Sequence, residues 1–396
     1  MAKRTIDDIN LQGKKVLMRV DFNVPIKNGV IQSDNRINAA LPSIQKVIND
    51  GGKLILFSHL GRVKTTSDKA NYDLAPIAQD LAQKLKKPVL FIDQTRGKKL
   101  EDAINQLHNG DILMVQNTRY EDLNNKAESN NDHALGAYWA SLGDVFINDA
   151  FGTSHRAHAS NVGIANNIKQ SAIGYLVAKE LSMLGKGLDC PTHPFVAIIG
   201  GAKVSDKILL VKNLLSKANH VIITGGMATT FTKAAGHSIG DSLVQLDFID
   251  QAKELLKTYK QKIVLPIDFA ISKKFEDLPR QEIDNIDIPD GYMALDIGHK
   301  TMELYKKVLK GAKTVVWNGP AGVTEFSNYE AGTLAIARAI VAQPGVFSII
   351  GGGDSAAAAI KLGFEHKFTH ISTGGGASLE YMEGKPLPGV EAIENI

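Results

Sequence analysis

Short apolar runs alternate with amphipathic segments along most of the chain. The runs occupy residues 15–25, 53–62, 88–93, 111–120 and 144–152, and after a break residues 195–201, 220–226, 262–268, 293–298, 314–320, 347–353 and 370–376. Segments of helical period separate them; Leu74, Ile77, Ala78, Leu81 and Leu85 fall on one helical face. Alternating strands and helices predict an α/β protein with mostly parallel sheets, each covered by helices.

The pattern divides near residue 174. Residues 174–188, GYLVAKELSMLGKGL, read as one amphipathic helix that Pro191 and Pro194 would end. Since 396 residues exceed the usual size of one core, we predict two Rossmann-like lobes joined by a hinge helix. We place the N-terminal lobe at residues 1–172, the interdomain helix at 173–189 and the C-terminal lobe at 190–382. The pattern leaves open whether residues 383–396 fray or pack back.

Composition narrows the class of protein. With 44% hydrophobic and 22% charged residues the chain is typical of a globular protein, and a net charge of +3 gives no general attraction to nucleic acid or to a membrane. A single cysteine, Cys190, suits a reducing compartment. Asp7 and Asp8 stand where a signal peptide would need apolar residues, so we expect a cytoplasmic protein.

Arginine is concentrated in the first lobe. Seven of the nine arginines precede residue 160: Arg4, Arg19, Arg36, Arg62, Arg96, Arg119 and Arg156. Several follow apolar runs, together with His59, His155 and His158, and in parallel α/β folds ligands bind at those strand ends. Guanidinium groups bind carboxylate and phosphate in bidentate fashion, so the set predicts an anion site, although any single arginine is better explained by a surface ion pair. For His155 and His158 we favour hydrogen bonding over a metal, because no third ligand is evident.

The second lobe has glycines where strands end. Glycine pairs occur at 200–201 and 225–226 and triplets at 351–353 and 374–376, a pattern that suits either tight turns or helix N-termini that bind phosphate. The segment GGAKVSDK places Lys203 and Lys207 four residues apart, as on one face at the start of a helix. Asp354, after a triplet, is either a Mg²⁺ ligand or a helix N-cap.

Two nucleotide motifs can be tested directly. The sequence lacks GxxxxGK[ST], which excludes a Walker-type NTPase. GGGDSA satisfies GxGxxA, but the acidic residue expected about 20 positions later is replaced by HISTGGG. An NAD-dependent dehydrogenase with a small anionic substrate therefore remains the alternative. The favoured interpretation is a two-lobed phosphotransferase, because the nucleotide and anion features lie in different halves of the chain.

These segments resemble one family throughout, that of the phosphoglycerate kinases. The resemblance rests on RVDFNVP, SHLGR, QNTRY, NDAFGTSHRAHAS, IIGGAKVSDK, DIGHKT, WNGPAGVTEF, GGGDSAAA and STGGGASLEY, in family order. It implies a monomer that closes about its hinge and reversibly transfers the acyl phosphate of 1,3-bisphosphoglycerate to MgADP, giving 3-phosphoglycerate and ATP. It also implies that residues 383–396 return to the N-terminal lobe.

The resemblance also implies roles for individual residues. Phosphoglycerate would be held by Asp21, Asn23, Arg36, His59, Arg62, Arg119 and Arg156. ADP or ATP would be held by Lys203, Lys207, Ala294, Asn318, Glu325, Gly352, Gly353, Asp354 and Ser355, with Glu325 on the ribose and Asp354 on the Mg²⁺. The catalytic set would be Arg36, Lys203, Gly374, Gly375 and Gly376.

The chain departs from the family pattern at four positions within these segments. Ala294 and His299 replace the usual glycine and proline of MGLDIGPKT, and Gln116 and Tyr120 replace Glu and Phe. We expect Ala294 to affect the adenine site and His299 to affect loop stiffness.

Overall fold

The computed structural model describes residues 2–396. The chain forms two compact units. Unit 1 comprises the residues up to Leu181 together with Pro386–Ile396, and unit 2 comprises Ser182–Lys385. Within residues 2–396, no helix has both the length and the apolar character needed to cross a membrane.

Unit 1 is built on a parallel sheet between helices. Its strands are β1 (Lys15–Val20), β2 (Ile26–Lys27), β3 (Val30–Ile31), β4 (Lys53–Phe57), β5 (Leu90–Ile92), β6 (Ile112–Val115), β7 (Val145–Asp149) and β8 (Ser171–Ile173). Its helices are α1 (Asn35–Asn49), α2 (Ala75–Leu85), α3 (Lys98–Asn105), α4 (His133–Ser141), α5 (Ile164–Asn167) and α6 (Tyr175–Leu188), of which α6 continues into unit 2.

Six strands of unit 1 form the sheet in the order β5-β6-β4-β1-β7-β8, and every pair is parallel. Residues 16–20 of β1 are buried on both faces, which explains the near-continuous apolar run there. The chain extends the sheet from β1 towards β4 and later returns to add β7 on the other side. The ends of β1 and β7 therefore flank a topological switch point, where parallel α/β sheets bind ligands.

Unit 2 contains nine strands and seven helices that lie wholly within it. The strands are β9 (Phe195–Ile199), β10 (His220–Ile223), β11 (Ile263–Val264), β12 (Phe269–Ser272), β13 (Gln281–Ile283), β14 (Met293–Ile297), β15 (Thr314–Asn318), β16 (Phe347–Gly351) and β17 (His370–Ile371). The helices are α7 (Ile208–Lys217), α8 (Gly226–Ala234), α9 (Ile249–Thr258), α10 (His299–Leu309), α11 (Ala331–Val341), α12 (Gly353–Lys361) and α13 (Gly375–Met382).

The main sheet of unit 2 has the order β11-β10-β9-β15-β16-β17, again with parallel pairs only. Renumbered in chain order this is 3-2-1-4-5-6, the order of dinucleotide-binding folds, and its switch point lies between β9 and β15. The predicted fold class, two mostly parallel sheets covered by helices, is confirmed.

One predicted strand lies outside the two parallel sheets. The run 293–298 forms β14 as predicted, but β14 belongs to a separate sheet of order β13-β12-β14 whose pairs are antiparallel. The sequence pattern hid this sheet because β13 is short and largely exposed, so it has no apolar run.

The last residues of the chain pack on unit 1. They include the short helix α14 (Pro388–Glu391), and the backbone N–H of Gly389 donates to the carbonyl of Ser154 at 2.8 Å. The Asn148 amide Nδ2 donates to the carbonyl of Gly389 at 2.7 Å, which ties α14 to the end of β7.

Candidate active site

The carboxyl edge of the unit 1 sheet gathers the polar residues singled out from the sequence. Asp21 directly follows β1, His59 follows β4, Arg119 lies in the turn after β6 and Arg156 lies beyond β7. In a parallel sheet these strand ends share one edge. We call Arg19, Arg36, His59, Arg119, Arg156 and His158 the arginine–histidine cluster.

Short hydrogen bonds order the rim of this cluster. The Arg36 Nη1 donates to Asp21 Oδ2 at 2.8 Å, and the Asn23 Oδ1 accepts from the backbone N–H of Gly61 at 2.9 Å. Arg62, the next residue along, is exposed in the loop after β4. Asn23 therefore fixes the loop that carries Arg62, while the Arg62 side chain itself points to solvent.

The charges of the cluster act on its histidines. Burial, followed by the charges of Arg19, Arg119, Arg36 and Arg156, holds the pKa of His59 well below its ordinary value. Burial, followed by the charges of Arg119 and Arg19, lowers the pKa of His158 to about 2. Both imidazoles are therefore neutral at physiological pH, and several guanidinium groups share a small space. Such a concentration of positive charge favours an anionic ligand.

Arg119 is only partly satisfied by the protein. Its Nη1 donates to Asp122 Oδ2 at 2.8 Å and to the hydroxyl of Ser129. Its Nε is buried and has no hydrogen-bond partner among residues 2–396. A buried donor without an acceptor is costly, so this guanidinium is suited to an external acceptor.

A ring nitrogen of His155 takes part in a hydrogen bond, whereas the buried Nδ1 of the His158 ring has no hydrogen-bond partner among residues 2–396. The Arg156 Nε donates to His155 Nε2 at 3.1 Å, and the backbone N–H of His158 donates to Asn161 Oδ1 at 2.8 Å. Across the described part of the chain, His, Cys, Asp and Glu side chains form no group of three or more that could hold a metal.

In unit 2 the two strands at the switch point end in glycines that pack against each other. A Cβ on Gly319, which has a φ of +94°, would lie 2.5 Å from Lys207 Nζ and would also meet the carbonyl of Gly200. Lys207 Nζ donates to that carbonyl at 2.6 Å. Glycine is required here because the two strand ends and an ammonium group meet without room for a side chain.

Both glycine triplets begin helices, and the two helix starts are neighbours. Gly352 is the N-cap of α12 and Gly374 the N-cap of α13. A Cβ on Gly375 would lie 3.1 Å from the backbone nitrogen of Gly353. The unpaired N–H groups of two helices thus converge at one place, an arrangement that favours phosphate.

Two of the predicted nucleotide residues form the frame beneath this place. The Asn318 Nδ2 donates to the carbonyl of Gly351 at 2.9 Å. The Ser355 hydroxyl donates to the same carbonyl at 2.9 Å and accepts from the backbone N–H of Gly319 at 2.7 Å. Both side chains are buried, and their hydrogen bonds connect β15 to the start of α12.

In unit 2 one local prediction was wrong, and one of the two alternatives left open for Asp354 is excluded. Lys203 and Lys207 do not begin a helix: α7 starts at Ile208, because a turn in which Lys207 N–H donates to the Val204 carbonyl at 2.9 Å precedes it. Asp354 is not an N-cap, since Gly352 takes that position and Asp354 lies exposed in the first turn of α12. A carboxylate there is favoured by the helix dipole and remains available to a cation.

The remaining predicted residues are dispersed along the unit. Lys203 and Glu325 are exposed, and in the described chain neither side chain makes a hydrogen bond or ion pair. Ala294 lies in β14, where its N–H donates to the Ser242 hydroxyl at 2.9 Å. The strand of Ala294 is tied to the loop of Glu325, since Val323 N–H donates to the Leu295 carbonyl at 2.9 Å.

Sequence reasoning missed the buried residues that support these sites. Asp296 is buried and accepts from Arg280 Nη1 at 2.7 Å and from Gly332 N–H at 2.8 Å, which joins β14 to α11. Burial raises the pKa of Asp296 to about 6 although Arg280 opposes the shift. Arg280 is one of only two arginines after residue 160, and that rarity was the available signal.

The chain is a two-unit α/β protein. Unit 2 has a sheet with the strand order of dinucleotide-binding folds, and unit 1 carries the arginine–histidine cluster at the edge of its sheet. The family model for phosphoglycerate kinase matches residues 6–385. The chain belongs to the phosphoglycerate kinase family.

Individual relatives agree with this assignment over their full length. The phosphoglycerate kinase of Lacticaseibacillus casei (strain BL23) is 59% identical over 396 residues, 100% of both chains. That of Spiroplasma citri is 57% identical over 408 residues and covers 99% of each chain. The solved phosphoglycerate kinase of Coxiella burnetii is 37% identical with a TM-score of 0.89, covering 98% of each chain. That of Pyrococcus horikoshii OT3 is 33% identical with a TM-score of 0.83, covering 99% of this chain and 98% of the other.

Proposed function

We propose that this protein catalyses the reversible transfer of the acyl phosphate of 1,3-bisphosphoglycerate to MgADP, giving 3-phosphoglycerate and ATP in glycolysis. In the forward direction the bond between phosphorus and the carboxyl oxygen breaks, and a bond from phosphorus to an oxygen of the ADP β-phosphate forms. Membership of the phosphoglycerate kinase family supports this transferase activity. The dehydrogenase alternative is not supported, and His370–Ile371 is followed by Ser372 where a dinucleotide site needs an acidic residue.

The observation that carries the proposal is that each unit gathers different groups suited to anions: guanidinium groups in unit 1 and helix N–H groups in unit 2. The arginine–histidine cluster suits the carboxylate and phosphate of 3-phosphoglycerate, with Asp21 and Asn23 orienting Arg36 and the loop of Arg62. The convergent starts of α12 and α13, beside Lys207, suit the phosphates of a nucleotide. We assign phosphoglycerate to unit 1 and ADP or ATP to unit 2.

Mg²⁺ suits the nucleotide site. Magnesium in proteins is usually held by one or two carboxylates together with substrate phosphates. Asp354 provides one exposed carboxylate at the start of α12, and it lies close enough to Lys207 to act on the pKa of that ammonium group. When bound, the ion would neutralise phosphate charge, and Asp354 would be the residue of this chain that holds it.

The chain's own residues would do the rest of the work by positioning and charge neutralisation. Phosphoryl transfer passes through a loose transition state in which negative charge spreads over three equatorial oxygens. We infer that Arg36, Lys203 and the N–H groups of Gly374–Gly376 stabilise that charge, and that Glu325 binds the ribose. Exclusion of water from the reaction would follow closure about α6 as a hinge.

A coupled assay tests the proposed function. Given 3-phosphoglycerate and MgATP, the protein should produce 1,3-bisphosphoglycerate, measured as NADH oxidation by added glyceraldehyde-3-phosphate dehydrogenase. NADH oxidation without the coupling enzyme would instead support the dehydrogenase. The Arg36→Ala variant should lose the activity, and Arg338→Ala, an exposed arginine of α11, serves as the matched control.

Binding measurements test the assignment of ligands to units. Glu325→Ala should weaken ADP binding and leave 3-phosphoglycerate binding unchanged, and Arg119→Ala should do the reverse. Isothermal titration of each ligand into each variant measures both affinities. Loss of ADP binding in Arg119→Ala, with Glu325→Ala unaffected, would overturn the assignment.

We further propose a cytoplasmic monomer. This fits a chain with one exposed cysteine, Cys190, and 22% charged residues. Neither nucleic acid nor a membrane is proposed as a partner.

A further inference from the structure

We propose that Arg19 holds His59 in the neutral tautomer protonated on Nε2, so that His59 serves the arginine–histidine cluster as an uncharged hydrogen-bond donor. Arg19 would thus be a positioning residue. The tautomer itself follows from geometry within unit 1. Its effect on 3-phosphoglycerate binding rests on the proposed function.

The tautomer follows from what a guanidinium can do. Arg19 Nη2 lies 3.2 Å from His59 Nδ1, Arg19 is fully buried and His59 is 8% exposed. A guanidinium has five donors, no acceptor, and stays protonated in proteins. The hydrogen bond therefore requires a lone pair on Nδ1. The neutral ring then carries its proton on Nε2, the only other polar atom of the imidazole.

The guanidinium of Arg19 is fixed on its other sides. Its Nε donates to the Ser160 hydroxyl at 2.7 Å, and its Nη1 donates to the carbonyl of Val20. The Ser160 hydroxyl in turn donates to Glu128 Oε1 at 2.5 Å. Glu128 is fully buried and its Oε1 lies 3.9 Å from Arg19 Nη2. Glu128 and Ser160 thus aim Arg19 at His59.

The other charged groups around His59 determine whether it could take a second proton. They are Arg19 on β1, Arg36 on α1, Arg119 after β6, Arg156 and His158 after β7, Asp21 after β1, and Glu128 behind Arg19. Asp21 Oδ1 lies 3.9 Å from His59 Nδ1, beyond hydrogen-bond distance. A proton on Nδ1 would face a donor of Arg19, and the ring would then carry a charge among four cationic side chains, Arg19 included. This agrees with the strongly lowered pKa of His59.

This arrangement has a chemical use. A neutral Nε2–H donates one directed hydrogen bond without adding a further charge that would need neutralising when the site is empty. The donor strength of His59 would also stay constant through the pH range in which an ordinary histidine titrates. Substrate affinity would then have no histidine-dependent pH step.

Nitrogen NMR of the ¹⁵N-histidine-labelled protein tests the tautomer without any ligand. We expect the His59 Nδ1 resonance to be that of an unprotonated nitrogen and Nε2 that of a protonated one, unchanged between about pH 5 and 8. In Arg19→Lys we expect His59 to titrate or to populate both tautomers. Arg96→Lys, an arginine of the same unit paired with Glu121, is the control and should leave the His59 signals unchanged. Nδ1 protonation in the unaltered protein overturns the proposal even if Arg19→Lys does not fold.

Substitution of His59 separates the two ring nitrogens by function. The amide of glutamine reaches the position of Nε2, whereas the shorter asparagine amide occupies the position of Nδ1. His59→Gln should bind 3-phosphoglycerate at least about tenfold more tightly than His59→Asn, since only the former keeps the donor to a charged acceptor. Equal or reversed affinities contradict the donor role. If the unaltered protein fails to bind 3-phosphoglycerate, the proposed function fails while the NMR result on the tautomer still stands.

Discussion

At the scale of single residues, the surroundings of Lys207 bring the pKa of its side chain close to physiological pH. Its ammonium group lies between the strand ends of β9 and β15 and donates to the Gly200 carbonyl at 2.6 Å. Burial lowers the pKa of Lys207 to about 8, and the charges of Asp354 and Asp206 only partly oppose the shift. The charge of this lysine is therefore sensitive to pH just above neutrality.

We expect ADP affinity to fall as pH rises through 8. Below its pKa, Lys207 carries the charge that phosphate binding uses; at pH 9 about one tenth of the unliganded protein retains it, so affinity should fall by up to about tenfold. Lys207→Arg, whose charge persists, should flatten this dependence. The control Lys217→Arg, at a half-buried lysine that pairs with Asp189, should not. Isothermal titration at pH 7 and pH 9 measures it, and an equal slope in Lys207→Arg would assign the effect elsewhere.

The sequence indicated residues at strand ends better than residues inside strands. Arg119 and Arg156 could be placed at the sheet edge because they come just past apolar runs, and the ends of parallel strands share one edge. The role of Arg36 was implied only by the family resemblance. Arg19 could not be predicted, since it lies inside a run and its burial depends on Glu128, more than a hundred residues away. Local pattern does not specify such long-range partners.

At the scale of elements, the start of α6 depends on a buried carboxylate. Asp149, the last residue of β7, accepts from the backbone N–H groups of Leu176 and Val177 at 2.9 and 3.3 Å. Burial raises the pKa of Asp149 to about 7, while the Ser43 hydroxyl and these two N–H groups oppose the shift. The helix that leaves unit 1 thus begins on an acid that ionises near neutral pH.

We expect this acid to reduce the stability of unit 1 as pH rises. Because its pKa is higher in the folded state than the ordinary value of 3.8, folded protein binds more protons between pH 3.8 and 7, and the free energy of unfolding falls across that window. Asp149→Asn keeps an oxygen that can accept from the two N–H groups but does not ionise. It should therefore remove up to about 4 kcal/mol of this decline in the free energy of unfolding.

Urea unfolding at pH 5 and pH 8 measures the part of this decline that lies above pH 5, up to about 3 kcal/mol. A Trp317→Phe background leaves the buried Trp139 of unit 1 as the only tryptophan reporter. Asp189→Asn, an exposed acid, should show the same pH dependence as the parent protein. If Asp149→Asn also behaves like the parent, Asp149 is not the group responsible.

Elements were predictable where one face or both faces of a strand are buried. The glycine triplets after apolar runs predicted where α12 and α13 begin. That the two helix starts converge could not be predicted, because it depends on the sheet order, which places β16 beside β17. The antiparallel sheet was missed because the exposed β13 has no apolar run and is not joined to its neighbours by a two-residue hairpin turn that the sequence would reveal. Strand order and edge strands depend on tertiary packing that a linear pattern does not contain.

At the scale of the whole molecule, the proposed reaction requires residues of both units to stabilise one transition state. Arg36→Ala should lower kcat by about 10³-fold and change the KM of either substrate by less than about tenfold, since the charge it would stabilise develops only in transfer. Lys203→Ala should behave likewise. The double variant should lose much less activity than the product of the two single losses, because both residues would serve one charge.

Steady-state kinetics of the four proteins measure this coupling. Arg338→Ala, at an exposed residue, and Lys217→Ala, at a half-buried lysine that pairs with Asp189, are the control variants, and their effects should be small. If the activity loss of the double variant equals the product of the losses in Arg36→Ala and Lys203→Ala, the two residues do not act on a shared charge. A near-normal kcat in either single variant would remove that residue from the catalytic set.

Both ends of the chain belong to unit 1. The N–H of Ile396 donates to the carbonyl of Ala2 at 3.0 Å, the Lys3 Nζ donates to the carbonyl of Ile393 at 2.8 Å, and Arg4 pairs with Glu394 at 2.5 Å. Unit 2 is thus an uninterrupted insertion into a discontinuous unit 1. During translation, unit 2 has been made in full before Pro386–Ile396 leaves the ribosome, so it can fold first, while unit 1, begun earlier, closes only after Pro386–Ile396 has emerged.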